Sequence, residues 1–332
     1  IPLGHVGGYA TARLKSSRFA IEMALRPPAG PRSNGHDYAP MTPSKAQDPA
    51  AARAIGPDRT AALASRPWRR LLERALGPAR SVPTMLSAEE QKLYYWLTAF
   101  WCEGAGEIVD LGCFAGGSTA RLAEGGRVAG LGGRVHAYDR FTADPRVKEA
   151  VLYRQGAAPF EGEDILPLAR AWLAPWQDRV TFHPGEIERA VWPATPIELL
   201  VMDASKTAAS GDAMAAAFFP YLIPGASLVV SQDHLHWAQP WLPAQFERLA
   251  DCLIPVAHAP RDTVVFLCIR APGRAALAHA RIVGLSDAEL DADLAAARAR
   301  LAPLGVSDRL GEARAALAAN PGARQAFAFR KP

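Results

Sequence analysis

The sequence predicts an α/β fold, a mostly parallel sheet closed by an antiparallel pair of strands. Three observations predict it. A short apolar run at 107–111 overlaps the turn Asp110-Leu-Gly-Cys-Phe-Ala-Gly-Gly-Ser-Thr119 and continues into a helical stretch, which reads as strand, glycine turn, helix. Strand-like and helix-like runs then alternate as far as residue 253. The last two runs, 253–257 and 263–270, are joined by the turn Ala259-Pro-Arg-Asp262, too short for a crossover and therefore a hairpin.

Each element has its own signal. Ser87-Ala-Glu-Glu90 is a capping box that opens a helix running through Trp101, with Leu93, Trp96, Leu97 and Phe100 on one face. Strands follow at 108–111 and 134–138, with a helix from 118 to about 124 between them. A helix at 165–173 precedes a strand at 179–183. The strand 197–202 leads to a helix at 211–222, and the strand 226–231 to a helix at 240–253. Beyond Arg270, Ser286-Asp-Ala-Glu289 caps a helix to Leu301, and a last helix spans 307–319, stopped by Pro321-Gly322.

Composition divides the chain in three. Residues 1–80 form a basic, Pro/Gly/Ala-rich leader, expected to be largely irregular, with a short helix around 66–76 and order beginning near Met85. Residues 81–272 form the α/β domain, and 273–332 a helical C-terminal extension or dimer arm, so that a homodimer is expected. The leader carries thirteen Lys/Arg against five Asp/Glu, a net of +8 where the whole chain is +4. Such an arm suits nucleic acid or an anionic surface, or is simply a solvated Arg-rich segment. Cys102, Cys113, Cys252 and Cys268 lie in or beside apolar runs with no CxxC pair, the pattern of buried free thiols in a reducing compartment, and a cytoplasmic location is expected. No stretch reaches the ~18 consecutive apolar residues of a membrane span. The chain begins at Ile1 without the basic-then-apolar order of a secretory signal, and Met41 is a candidate natural start.

The spacing of the glycines speaks to the ligand. A dinucleotide turn is G-x-G-x-x-G, with a diphosphate on the helix N-terminus. Here Gly112, Gly116 and Gly117 follow an acid, Asp110, that repels a diphosphate and suits a ligand bearing an amino group. The second strand ends on Asp139, an acid where an α/β sheet holds a nucleoside. The turn resembles motif I, (D/E)-x-G-x-x-x-G, of the class I S-adenosylmethionine-dependent methyltransferases. Its wording is most similar to the small-molecule O-methyltransferase branches, the macrocin and catechol types. The resemblance covers roughly residues 85–270. It implies a Rossmann-like seven-stranded methyltransferase sheet with an antiparallel last strand. It also implies a cofactor, S-adenosyl-L-methionine, held by Asp110, Gly112, Phe114, Gly116, Gly117, Ser118, Asp139, Arg140, Gly185 and Glu186.

Ligands of an open α/β sheet gather at the carboxyl ends of its strands. The fourth strand ends in Asp203-Ala-Ser-Lys206, which resembles the metal-and-base segment of catechol-type enzymes. The resemblance implies Asp203 as a Mg²⁺ ligand and Lys206, its pKa lowered near a cation, as the base. The fifth strand departs from the family's Asp-Asp or Asp-Asn: it ends Ser231-Gln-Asp-His234, so Asp233 serves as the second metal ligand only with a slip of one residue. His234 is the metal-free alternative as a base.

The expected activity is therefore methyl transfer from S-adenosylmethionine to a hydroxyl of a small molecule, such as a sugar, polyketide or phenol. Two alternatives stand beside it. One is a nucleic-acid methyltransferase using the basic arm; the other is a methyltransferase-like module that binds a partner without catalysis. The absence of a (D/N)-P-P-Y segment disfavours nitrogen methylation of nucleobases and glutamine. The glycine spacing disfavours a nicotinamide dehydrogenase.

Overall fold

Every residue of strand β4 (Ile197–Met202) is buried, the mark of a strand covered on both faces. Its one charged residue, Glu198, is satisfied at the strand's start: the amides of Glu103, Gly104 and Ala105 donate to its carboxylate at 2.7, 2.9 and 2.9 Å. In this computed structural model, which describes residues 57–331, β4 lies at the centre of a seven-stranded sheet. Numbered along the chain, the other strands are β1 (Glu107–Leu111), β2 (Val135–Asp139), β3 (Val180–Pro184), β5 (Leu228–Ser231), β6 (Leu253–Ala259) and β7 (Thr263–Cys268). Their order is β3-β2-β1-β4-β5-β7-β6. The first five pair in parallel, and β7 runs antiparallel to both β5 and β6. This is the arrangement that the hairpin at 259–262 and the methyltransferase resemblance imply.

Alternation along the strands feeds two cores. Ile108, Leu199, Val201, Val230 and Val265 point to one face, and Val109, Leu200, Met202, Val229 and Phe266 to the other. The first face is covered by α1 (Pro57–Ala64), α2 (Ala88–Trp96) and α3 (Gly117–Ala129), with α4 (Leu166–Trp172) at its edge. The second is covered by α5 (Ala208–Phe218), α6 (Trp241–Arg248), α8 (Asp287–Arg300) and α9 (Ser307–Ala319); a short α7 (Arg274–His279) precedes α8. Both expected capping boxes form, Ser87 with Glu90 and Ser286 with Glu289, and a third, Thr207 with Ser210, opens α5. All four cysteines are buried and free. No described helix is long and apolar enough to cross a membrane.

The structure corrects the expected boundaries at both ends. Residues 1–56, with Met41 and much of the basic leader, lie outside the described residues. From residue 57 onward, however, the chain is folded rather than irregular. Leu63, Trp68, Leu71, Leu76 and Ala79 are buried in the first core, and Arg121 reaches under this segment to donate to the Val82 carbonyl at 2.8 Å. Composition misled here because Arg, Pro and Gly flank the few apolar residues that carry the packing. Likewise Leu290, Leu294, Leu310 and Leu317 of the C-terminal helices belong to the second core. The described residues form one compact unit, with no seam at 81 or 273.

A Trp68→Ala substitution tests this directly. Trp68 is fully buried, so truncation is expected to cost about 3–5 kcal/mol in chemical denaturation, the usual range for a core Trp. A change within ~0.5 kcal/mol, typical of a surface site, would show that residues 57–82 are a dispensable leader.

Candidate active site

The turn after β1 is built around two glycines. Gly112 has φ +92°, and a Cβ there would lie 2.7 Å from the backbone of Asp203. Gly116, at φ +93°, is the left-handed N-cap of α3. The turn therefore brings the ends of β1 and β4 closer than any side chain would allow.

Asp139 closes β2 beside this turn. The Phe114 amide donates to its Oδ2 at 2.8 Å, and the Phe141 amide to its Oδ1 at 2.7 Å. Both phenylalanines sit at positive φ, 50° and 55°, a conformation costing on the order of 1 kcal/mol each for a residue with a Cβ. The strain bends two separate loops so that their amides converge on one carboxylate. Burial raises the Asp139 pKa, and these amides oppose the rise. Each oxygen keeps a further acceptor lone pair.

A cleft of about 310 Å³ opens over this carboxylate. The ends of β1 and β2 supply Gly112, Phe114, Asp139 and Arg140, the end of β3 supplies Gly185 and Glu186, and the end of β4 supplies Asp203 and Lys206. Gly117 and Ser118 line a small adjoining hollow, while Gly116 is buried below it against Leu173. Asp110 is placed differently from the rest. It is fully buried beneath the turn, where Ser118 Oγ and Thr119 Oγ1 each donate to its Oδ2 at 2.7 Å. Its Oδ1 has no hydrogen-bond partner among the described residues, and burial holds its pKa up at about 6. A larger hollow of about 360 Å³ between α5, α6 and α7 contains none of the expected residues. Its one acid, Asp212, is committed to the amides of Ile282 and Val283 and to Gln245.

The carboxyl ends of β4 and β5 meet in an ionic bridge. Lys206 Nζ donates to Asp203 Oδ1 at 2.9 Å and, still closer, to Asp233 Oδ2, which also accepts from Gln239 at 2.7 Å. The two expected metal ligands are thus brought together, but the lysine lies between them. Among the described residues, no three His, Cys, Asp or Glu side chains are grouped to hold a metal ion. Gln232, where the family pattern has an acid, is turned inward: Tyr94 donates to its Oε1 at 2.6 Å, and it donates to Glu90 at 2.8 Å. Two carboxylates already sharing an ammonium, with an inward-facing amide beside them, do not fit the hard-oxygen shell of magnesium.

Two expected bases are corrected by the same geometry. Desolvation pulls on Lys206, but the two flanking acids win and hold its pKa above the usual lysine range, not below it. Burial pushes Asp203 up to about 7, against the pull of Lys206. Asp233 moves the other way, below the usual carboxylate range: burial would raise it, but Lys206 and Gln239 prevail. His234 does not reach the cleft. It is 1% exposed, its Nδ1 is 3.2 Å from Ser231 Oγ, and its ring packs against Phe246 and Phe266 at 5.1 and 4.9 Å. Burial drops its pKa to about 3, so it is a neutral core histidine. Its position next to Asp233 at a strand end suggested the cleft, but the chain turns it to the opposite side.

No protein-family model matches the chain, and no curated protein sequence does. Among solved structures the chain is similar to "the O-methyltransferase NovP", at 17% identity and a TM-score of 0.44, over 56% of this chain and 82% of that one. It is similar to the SAH-bound methyltransferase PaMTH1 of Podospora anserina, at 13% identity and a TM-score of 0.37, over 60% and 84%. It is also similar to CalS11, a calicheamicin methyltransferase, at 16% identity and a TM-score of 0.37, over 68% and 99%. These values are too low to transfer a chemistry, which has to come from this chain's own side chains.

Several cleft residues were not among those expected from the sequence. Met85, Tyr138, Ile187, Thr207 and Phe327 all line it. Tyr138 precedes Asp139 and was within reach of the strand pattern; Phe327 comes from the far end of the chain, and only folding brings it there.

His234→Phe separates the core reading from a catalytic one. Because the folded pKa of about 3 lies below the ordinary 6.5, unfolding binds a proton between these values. The neutral ring's contribution is then complete above pH 6.5 and lost as pH falls toward 3, by about 1.4 kcal/mol per pH unit. The variant is expected to lose less stability over that window and to keep turnover within about threefold. A drop of a hundredfold in kcat, the scale of a lost general base, would return His234 to the mechanism.

Proposed function

We propose that this protein is an S-adenosylmethionine-dependent methyltransferase acting on a hydroxyl of a small molecule. The observation that carries the reading is Asp139, fixed by two amides at the end of β2 and facing a cleft floored by Gly112. The parallel order β3-β2-β1-β4-β5 beneath it and the reversed β7 support the same reading.

The residues fit the cofactor. Asp139 accepts the vicinal hydroxyls of the ribose. Gly112, Gly117 and Ser118 border the space for the amino-acid arm. Gly185, Glu186 and Arg140 border the far end. When bound, the cofactor supplies a methyl group made electrophilic by its sulfonium.

The rest of the chemistry belongs to the ionic bridge. A polar hollow of about 210 Å³, bordered by Ser87, Gln232, Asp233 and Arg261, adjoins the cleft at Met85 and is where the acceptor would sit. Lys206, held protonated by two acids, cannot take a proton; it orients the acceptor oxygen and stabilises charge developing there. Asp203, poised near neutrality, takes the hydroxyl proton. The ammonium supplies the positive charge that a metal would otherwise bring, so no step requires one.

Two measurements test this. Asp139→Asn is expected to weaken binding of S-adenosylhomocysteine by ten- to a hundredfold in calorimetry, about what a charge-assisted hydrogen bond contributes; unchanged affinity would remove the ribose role. For catalysis, kcat/KM over a panel of hydroxylated acceptors is expected to rise with pH through about 7, since only ionised Asp203 accepts a proton. Asp203→Asn should abolish that limb and lower kcat at least a hundredfold, while EDTA changes nothing. Loss of turnover on chelation would show that the acids serve a metal after all.

A further inference from the structure

The chain's last described stretch is fastened at both ends and in the middle. Asn320, just past α9, donates from Nδ2 to the Arg330 carbonyl at 2.9 Å and accepts from the Arg330 amide at 2.8 Å, closing residues 321–329 into a loop. Arg324 pairs with Asp287 at 2.7 Å and donates to the Leu285 carbonyl at 2.8 Å. Toward the cleft, the Ala208 amide donates to the Arg324 carbonyl at 3.0 Å, and the Ala326 amide to the Lys206 carbonyl at 2.8 Å. Phe329 is buried, with its ring 6.2 Å from that of Trp241.

Phe327 stands out against this bracing. Its neighbours are tied down, yet its own side chain is 77% exposed, and it borders the cleft. Among the described residues none buries this large apolar ring, although the loop that holds it is firmly pinned. Its position within the cleft names a partner. The turn at Gly112 and Ser118 takes the amino-acid arm of the ligand and Asp139 the ribose. The same cleft is lined by Glu186 and Ile187, which follow β3, and by Thr207 at the start of α5, where the loop carrying Phe327 is hydrogen-bonded.

We propose that Phe327 is the plate on which the purine base of the bound nucleoside stacks, so that the C-terminal loop is part of the cofactor site and not an appendage. This rests on the nucleoside reading of the cleft given above. Its consequence is a covalently remote coupling: the same loop is hydrogen-bonded to the Lys206 backbone, so the base plate and the catalytic ammonium share one support.

The test is calorimetric titration of S-adenosylhomocysteine and of 5′-methylthioadenosine, which has the base and ribose but no amino-acid arm. The proteins are wild type, Phe327→Ala and Phe327→Trp. Base–aromatic stacking predicts a loss of about tenfold in affinity for both ligands in Phe327→Ala, and affinity at or above wild type in Phe327→Trp. The apo melting temperature should not move, because an exposed ring contributes little to stability. Equal affinity of wild type and Phe327→Ala for both ligands would overturn the proposal. So would an effect confined to S-adenosylhomocysteine, which would place the ring on the arm, or one confined to the KM of the acceptor. Failure of the wild type to bind either ligand would instead overturn the nucleoside reading on which the proposal stands.

Discussion

Two backbone amides converging on the Asp139 carboxylate organise the site. They belong to Phe114, in the turn after β1, and Phe141, in the loop after β2, and both residues are held at positive φ. An acid at a strand end is common; one whose two oxygens are aimed by separate loops has lost its freedom to swing away. The strain is sustained because both rings pack into the first core: Phe141 is buried and Phe114 lies against the same cluster. Packing energy on one face of the sheet thus holds a hydrogen-bonding geometry at its edge.

The second organising feature is the charge balance at the ends of β4 and β5. Asp203 and Asp233 would repel each other across adjacent parallel strands. Lys206, three residues after Asp203, returns to lie between them. One cation between two anions leaves a net negative charge, and the acids divide it unequally. Asp233, which also accepts from Gln239, keeps its charge, while Asp203 is the one that protonates near neutrality. A base and a fixed positive charge therefore arise from the same three side chains. The inward turn of Gln232 toward Tyr94 and Glu90 keeps a further polar group out of this cluster and ties the end of β5 to α2.

The fold builds around these sites from distant parts of the chain. Residues 57–82 complete the core beneath one face of the sheet, and α8 and α9 the other. The loop after α9 then returns across the end of β4 and hydrogen-bonds to residues 206–208. The terminal segments thus hold both the sheet's faces and the rim of the cleft, which explains why composition alone is a poor guide to where the domain stops.

Much of this was legible in the amino-acid sequence, for local reasons. Strand and helix periodicity, the capping boxes at Ser87 and Ser286, the short turn at 259–262 and the spacing from Asp110 to Asp139 depend on neighbours a few residues apart. They placed the sheet, its reversed last strand and nine of the ten expected cofactor contacts in or beside one cleft or its floor; the tenth, Asp110, lies sealed below the turn. Only the tertiary structure decided the state of the polar groups. Whether Lys206 gives up or keeps its proton depends on a second acid from another strand, and whether His234 meets solvent depends on which side of β5 the chain leaves. Likewise Trp68 and Phe327 acquire their environments from elements far away in the chain. Local patterns set the backbone path, but desolvation and ion pairing are properties of the assembled surroundings, and those exist only once the chain has folded.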